Sequence, residues 1–318
     1  MAQASARGRA RDGRAAAAPT ARGRPLHGSP KRAEARFGVL LALPPLLAFG
    51  AVILYPFLNS VGMSLFRVTL LSPDPVFAGL RNFERLFEDA ILVQTWLTTV
   101  LFVVVTTAAT FALGFAWALV LNERFRFRAA VRSASLLPWV LPSTVTAFLW
   151  AWMFNAQYGV INAALMSMGA IDEPIAWLAT PEGAMAGVVV AKTWLSIPLF
   201  TAFLLAGLQS LPGEQVEAAR IDGASNAQVI RHVALPHLKP TIVVLLVLGA
   251  MGNLQQFDVI YAMTGGGPLR ATTVLSIEVH RQAFESWNIG IAAAVGVIWF
   301  LTIAGPAYVY LRSILGRR

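Results

Sequence analysis

Cysteine is absent from the chain, which excludes disulfide frameworks, thiolate catalysis, Cys-ligated zinc and iron–sulfur clusters. Lysine is nearly absent: the three that occur follow Pro30, Ala191 and Leu238. A phosphate-cradling G-x-x-x-x-G-K-[ST] loop needs lysine directly after glycine, so no ATP site or other cofactor site is expected on this chain. The four histidines (His27, His232, His237 and His280) form no H-E-x-x-H pair. Only His232 and His237 are close, on either side of Pro236, and no metal site is expected. No nucleophile, base and orienting residue cluster in the sequence, so no catalytic residue is assigned. Charge is scarce too. Charged residues make up 13% of the chain and hydrophobic ones 57%, against roughly 25% charged in an aqueous globular domain. A membrane protein follows.

The 25 Lys and Arg outnumber the 16 Asp and Glu and give a formal charge of +9, which at first suggests nucleic acid. The distribution excludes that partner: nine basic residues fall in 1–36 against Asp12 and Glu34, so seven of the nine net charges sit there. This stretch of Ala, Gly, Arg and Pro has no recurring apolar residue before Phe37 and cannot offset chain entropy by burial. It is expected to be a disordered cytoplasmic tail that helps orient the chain, with each basic residue near anionic lipid contributing about 1 kcal/mol. The apolar run behind it begins too late and runs too long for a cleavable secretory signal.

A helix needs about 20 mostly apolar residues to cross the hydrocarbon core. Six segments qualify: 37–66, 91–121, 133–154, 184–208, 240–262 and 290–312. Nineteen Lys and Arg fall in 1–36, 122–132, 209–240 and 312–318, whereas the other side holds five, Arg67, Arg81, Arg85, Arg270 and Arg281. Positive charge stays on the cytoplasmic side, which places both termini there. Pro44, Pro45, Pro56, Pro138, Pro142 and Pro198 lie within spans; each removes a donor and bends or breaks a helix. Freed carbonyls must find partners in neighbouring helices, which favours a packed bundle of bent helices. In the first outer loop Phe77, Leu80, Phe83, Leu86, Phe87 and Ile91 recur at helical spacing among Arg81, Glu84, Arg85 and Glu88, predicting an amphipathic helix flat on the membrane surface. Inside the spans the ionisable residues are Lys192, Asp258 and the terminal Arg312. A proton relay is therefore absent, and the energy source is expected on another chain.

Residues 209–240 form a loop that local chemistry resolves into two short helices. Pro212 suits a first helical turn, and Glu214 favours the positive helix start. The first helix ends near Asp222, with Gly223 available for a left-handed turn. Ser225 and Gln228 make a capping box for a second helix, which Pro236 is expected to close.

Here a resemblance becomes specific. Glu217-Ala218-Ala219, three residues, Gly223, nine residues, then Val233-Ala234-Leu235-Pro236 resembles the E-A-A-x3-G-x9-I-x-L-P loop of permease subunits in binding-protein-dependent ABC importers, with Val for Ile the one departure. Tyr55-Pro56, Gly79 to Phe83, Leu137-Pro138, Gly207-Leu208-Gln209, Phe257-Asp258, Thr264 to Pro268 and Ala283-Phe284 are similar to the carbohydrate-type branch related to the maltose and glycerol-3-phosphate permeases. Likeness runs from about residue 40 to the C-terminus. The resemblance implies an all-α bundle of six transmembrane helices, the MetI-like permease of a type I importer, occupying 37–318 with 209–240 as coupling loop. It implies a bacterial-type plasma membrane and a second, homologous permease subunit as partner. Two ATP-binding cassette subunits carrying Mg-ATP, and an extracytoplasmic solute-binding protein, complete the implied assembly.

The coupling residues so implied are Glu217, Ala218, Ala219, Arg220, Asp222, Gly223, Leu235 and Pro236, a stiff knob with its helices pressed together at Gly223; Glu217 and Arg220 either pair or bond the ATPase. Carbohydrate-type relatives place solute contacts on spans four and five, at positions matching Lys192, Trp194, Leu195, Ser196, Leu199, Gly249, Asn253 and Gln256. Asn253 and Gln256 lie one turn apart and share a face. Trp194 suits a sugar ring. Lys192 lies about 13 Å into its span, where a lone charge costs at least about 2.5 kcal/mol, so it faces a wet cavity or a partner and could favour an acidic solute. Asp258, Gly265, Gly266, Gly267 and Pro268 are implied to face the binding protein.

The reading is a sugar importer working by alternating access, with glycerol-3-phosphate or another polyol derivative as alternative solute. A stand-alone channel or secondary carrier, and a membrane enzyme or scaffold, are the other classes. Vesicles containing only this chain are expected to accumulate no solute uphill; uptake measured without nucleotide or companion subunits checks this, and accumulation there would favour the secondary carrier.

Overall fold

Long apolar runs fold here as long helices, and proline decides where they stop, bend or widen. The computed structural model describes residues 30–315; the expected tail at 1–29 lies outside them. Two units result, Met1–Tyr55 and Pro56–Arg318. In the first, α1 (Pro30–Phe49) holds Pro44 and Pro45 and passes into a π-helical turn, Gly50–Leu54, closed by Tyr55 N–H on Gly50 O. The helix starts at Pro30, inside the stretch 1–36 expected to lack structure, because Lys31, Ala33, Glu34 and Ala35 are good helix formers leading into an apolar run.

The chain continues as α2 (Tyr55–Met63), a hairpin of β1 (Phe66–Thr69) and β2 (Ser72–Phe77), α3 (Arg81–Glu88), α4 (Ala90–Asn122), α5 (Arg128–Ser135), α6 (Leu137–Val140), α7 (Ser143–Met153) and α8 (Val160–Ser167). After these come α9 (Pro181–Gln209), α10 (Gly213–Ile221), α11 (Asn226–Val229), α12 (Leu235–Leu254), α13 (Asp258–Thr264), α14 (Leu275–His280) and α15 (Ile289–Leu315).

Among the described residues, four helices are long and apolar enough to cross a membrane: Phe37–Met63, Ala90–Asn122, Pro181–Gln209 and Asn226–Leu254. Arg128–Val140 and Ser143–Met153 make a fifth if read as one span, but they are bent by 98°. The expected straight span at 133–154 is thus broken. Leu141 is extended, the conformation that a following proline favours, and Pro142 is extended too and caps α7 without donating an N–H. The sixth expected span, 290–312, falls within the helix α15. The span expected at 240–262 also differs: it begins at Asn226, ends at Leu254 and gives way to a turn before α13.

Pro236 does not close a helix. A π-helical turn at Ile230–Ala234, ended by Leu235 N–H on Ile230 O, carries α11 into α12. The wider turn makes room for the proline ring, which would otherwise clash with the carbonyl one turn back. The π-turn before Tyr55-Pro56 follows the same pattern.

Lipid offers helices little hydrophobic drive to associate, so small residues set their approach. Helices α4 and α9 run side by side in one direction, with Thr201 Oγ1 donating to Gly114 O at 3.3 Å. A Cβ on Gly114 would stand 2.9 Å from Phe200 Cβ, and one on Gly207 would stand 2.4 Å from Leu238 Cδ2 of the returning α12. At one end of the bundle, Asn82 donates to Ser64 O at 2.8 Å and Phe66 O at 2.9 Å, fastening the hairpin to α3. The helix expected from 77 to 91 is α3 alone, and one face of it is taken up by protein: Asn82 and Leu86 are buried, and Leu86 packs with Leu92, Leu275, Ile291 and Val295. Gly290 of α15 touches the hairpin so closely that a Cβ would lie 2.3 Å from Phe66 O. Gly290→Ala is expected to lever the hairpin away and destabilise by about 1–3 kcal/mol, read as a lowered melting temperature of the purified importer.

Candidate functional site

A cavity of about 290 Å³ lies where α4, α9 and α12 meet the break in the third span. Helix α9 supplies Lys192, Leu195, Ser196, Leu199 and Phe200, and α12 supplies Leu245, Leu248, Gly249, Gly252 and Asn253. Both sets recur every three or four residues, the spacing of one helical face. Thr110 of α4, Trp139 of α6, Leu141 and Ser143 complete the lining. Lys192 makes no ion pair among the described residues, where the salt bridges are Arg270–Glu278 and Arg281–Glu285. Asn253 is buried and donates from Nδ2 to Thr107 Oγ1 at 2.9 Å. The walls thus offer hydroxyls, an amide oxygen, one ammonium and an indole.

The structure brings together Lys192, Ser196 and Asn253, with Leu195, Leu199 and Gly249 beside them. Trp194 and Gln256 are not in this set. Trp194 lies on another face of α9, its ring edge-on to Trp150 at 6.0 Å. Gln256 falls past the end of α12 at Leu254 and is buried, its backbone carbonyl accepting from Ser276 Oγ at 2.6 Å. A residue beyond the helix no longer keeps the helical turn that would align it with Asn253. Sequence reasoning missed Trp139 and Ser143. Their signal was Pro138 and Pro142 four residues apart, which breaks the span and turns both side chains into the cavity.

At the far end of α9 stands the knob. Helix α10 ends with Asp222 as C-cap, Gly223 has φ +83°, and Ser225 with Gln228 forms the expected capping box. Glu217, Ala218, Arg220, Asp222, Gly223 and Pro236 are exposed; Ala219 and Leu235 are half-buried. The helices do not press together at Gly223, where a Cβ would meet nothing within 4 Å; glycine is needed there for its left-handed backbone. Glu217 and Arg220 form no ion pair with each other among the described residues and instead line a hollow of about 480 Å³ between α10, α11 and the end of α4. Three apart on an exposed helix, each is solvated without the other. Ile221 at the tip is 86% exposed.

Asp258 begins α13 and accepts a hydrogen bond from Ser143 Oγ at 2.7 Å. The Gly265–Pro268 turn is fastened rather than loose. Gly265 and Gly266 have φ +60° and +91°. Thr273 Oγ1 donates to Gly266 O and Thr272 Oγ1 to Gly267 O, both at 2.9 Å. A Cβ on Gly266 would stand 2.8 Å from Thr273 Oγ1.

A cavity of mixed polar and apolar lining thus lies among bent, packed spans, with an exposed helical knob at one end. Residues 110–313 match the family described as binding-protein-dependent transport system inner membrane component, and the chain belongs to that family. It is 37% identical over 285 residues to the trehalose/maltose transport system permease protein MalF of Thermococcus litoralis, covering 89% of this chain and 95% of that one. It is 35% identical over 277 residues to the sulfoquinovosyl glycerol transport system permease protein SmoG of Agrobacterium fabrum, covering 87% and 89%. The fold is similar to a chain in the crystal structure of a bacterial ABC transporter involved in import of the acidic polysaccharide alginate: TM-score 0.74, 88% of this chain and 98% of that one, 23% identity.

Two glycines of α12 separate blocking from misfolding. A Cβ on Gly252 meets open space in the cavity, whereas one on Gly249 would lie 2.6 Å from Phe200 Cζ. Gly252→Leu is expected to abolish solute uptake with the melting temperature unchanged; Gly249→Leu is expected to lower both, with a stability loss of about 1–3 kcal/mol.

Proposed function

We propose that this chain is the sugar-conducting permease subunit of a type I ABC importer, coupled to separate ATPase subunits and fed by a solute-binding protein. The observation that carries the reading is the 37% identity, across nearly the whole of both chains, to a trehalose/maltose permease. The cavity supports it: Ser143, Ser196 and Asn253 offer hydroxyl and amide partners, and Trp139, 59% exposed, offers an aromatic face for a sugar ring. The nucleotide Mg-ATP belongs to the partner subunits, since no lysine follows glycine here. With both termini cytoplasmic, the knob at 209–240 faces the ATPases and takes up their closure through Glu217 to Gly223. The hairpin end, with Gly265 to Pro268, faces the binding protein, and a second related permease pairs with this one. Closure of the ATPases opens the cavity outward; hydrolysis resets it inward.

A second reading, an anionic sugar derivative as solute, is favoured by the unpaired Lys192 in the cavity and by the relative named for sulfoquinovosyl glycerol. Proteoliposomes holding the complete importer, given binding protein outside and ATP at the knob side, are expected to take up trehalose or a related disaccharide. Uptake should cease when Mg-ATP or the binding protein is withheld. Transport without either would overturn the assignment.

A further inference from the structure

Ser143 and Asp258 are the first residues of α7 and α13, and the hydroxyl of one donates to the carboxylate of the other at 2.7 Å. The contact lies on the cavity's rim: Ser143 is part of the lining, as is Lys192, and Asp258 is exposed just outside it. Lys192 has no carboxylate within 4.0 Å among the described residues, while Ser143, which lines the same cavity, holds the carboxylate of Asp258. Helices α7, α9 and α13 share one core cluster through Ala147, Ala191, Val259 and Ile260. Sliding among them would therefore change which polar group the carboxylate meets. One basic side chain lines the cavity, and a carboxylate is held at its rim on a hydroxyl.

We propose that Asp258 is the charge-balancing, specificity-determining residue of the cavity: released from Ser143, its carboxylate pairs with Lys192 and leaves a neutral passage suited to an uncharged polyhydroxylated solute. An anionic solute must then compete with Asp258 for the ammonium. For the solute, this inference rests on the sugar-permease reading; for the pair, it rests on geometry alone. Ser143 is a positioning residue in this arrangement, and its hydroxyl sets how readily the carboxylate leaves.

The absence of cysteine makes the local potential measurable. Lys192→Cys in the complete importer is treated with a cationic and an anionic methanethiosulfonate reagent, with the reaction followed on this chain by its mass. Against that background, Asp258→Asn is expected to lower the cation-to-anion rate ratio about tenfold, and Ser143→Ala to raise it about threefold. A ratio unmoved by Asp258→Asn overturns the proposal. In the chain that retains Lys192, Asp258→Asn is expected to cut trehalose uptake about tenfold, and adding Lys192→Met to restore it to within about threefold. If Asp258→Asn matches Ser143→Ala and Lys192→Met gives no rescue, Asp258 is only a tether. Wild-type vesicles that take up no trehalose would sink the sugar reading instead, while the reagent ratio still decides the pair.

Discussion

Every backbone donor and acceptor must be satisfied within the bilayer, where no water stands ready, and the prolines of this chain test that constraint repeatedly. Three solutions appear. Inside α9, Pro198 is buried and the helix runs on past it. Before Pro56 and Pro236, five-residue π-turns widen the helix so that it continues past the ring. At Pro142 the helix gives way, and the chain runs extended through Leu141 before α7 begins. Non-helical backbone at membrane depth is tolerated where it lines a cavity, and that is where this break lies. The cavity and the break are one feature: Trp139 and Ser143 enter the lining only because the helix between them stops.

Threonine on α4 serves the same constraint. Thr95, Thr99, Thr106, Thr107 and Thr110 are buried along it. Thr99 donates to Thr95 O at 2.7 Å and accepts from Leu275 N at 2.9 Å, capping the start of α14 from another helix. Thr107 receives Asn253, and Thr110 faces the cavity. One helix thus supplies hydroxyls to a helix start and to the buried amide of α12.

The sequence made the long helices and the knob legible because both are local. Apolar length marks α4 and α9; Gly223, Ser225 and Gln228 act within a few residues of one another and fold as their chemistry dictates. The hairpin at Phe66–Phe77 was not legible, since Pro73 and Pro75 argue against a strand and its pairing is held from outside by Asn82 and Gly290. Gln256 was misplaced because a helix assumed to run on to 262 ends at Leu254, where the fastened turn after α13 and Ser276 draw the chain aside. The residues of the cavity share no local motif. Their assembly depends on the parallel packing of α4 and α9, a tertiary fact that periodicity alone does not carry.

That packing also connects the two ends of the molecule. Arg132 of α5 donates to Leu121 O near the end of α4 at 3.2 Å. With the Gln209 amide turned carbonyl-first, Arg132 and Arg128 also donate to the last residue of α9. Helix α10 of the knob begins four residues later, at Gly213. Lys192 and Gln209 are 17 residues apart on α9, roughly 25 Å at the helical rise. On the other side of the knob, the continuous helix Asn226–Leu254 carries Gly249 and Asn253 back to the same cavity. Two long helices therefore run between the knob and the cavity. Their separation is set by Gly207 against Leu238 and by Gly249 against Phe200. A side chain at either glycine would force the two helices apart, so the close approach of α9 and α12 depends on those two positions carrying none.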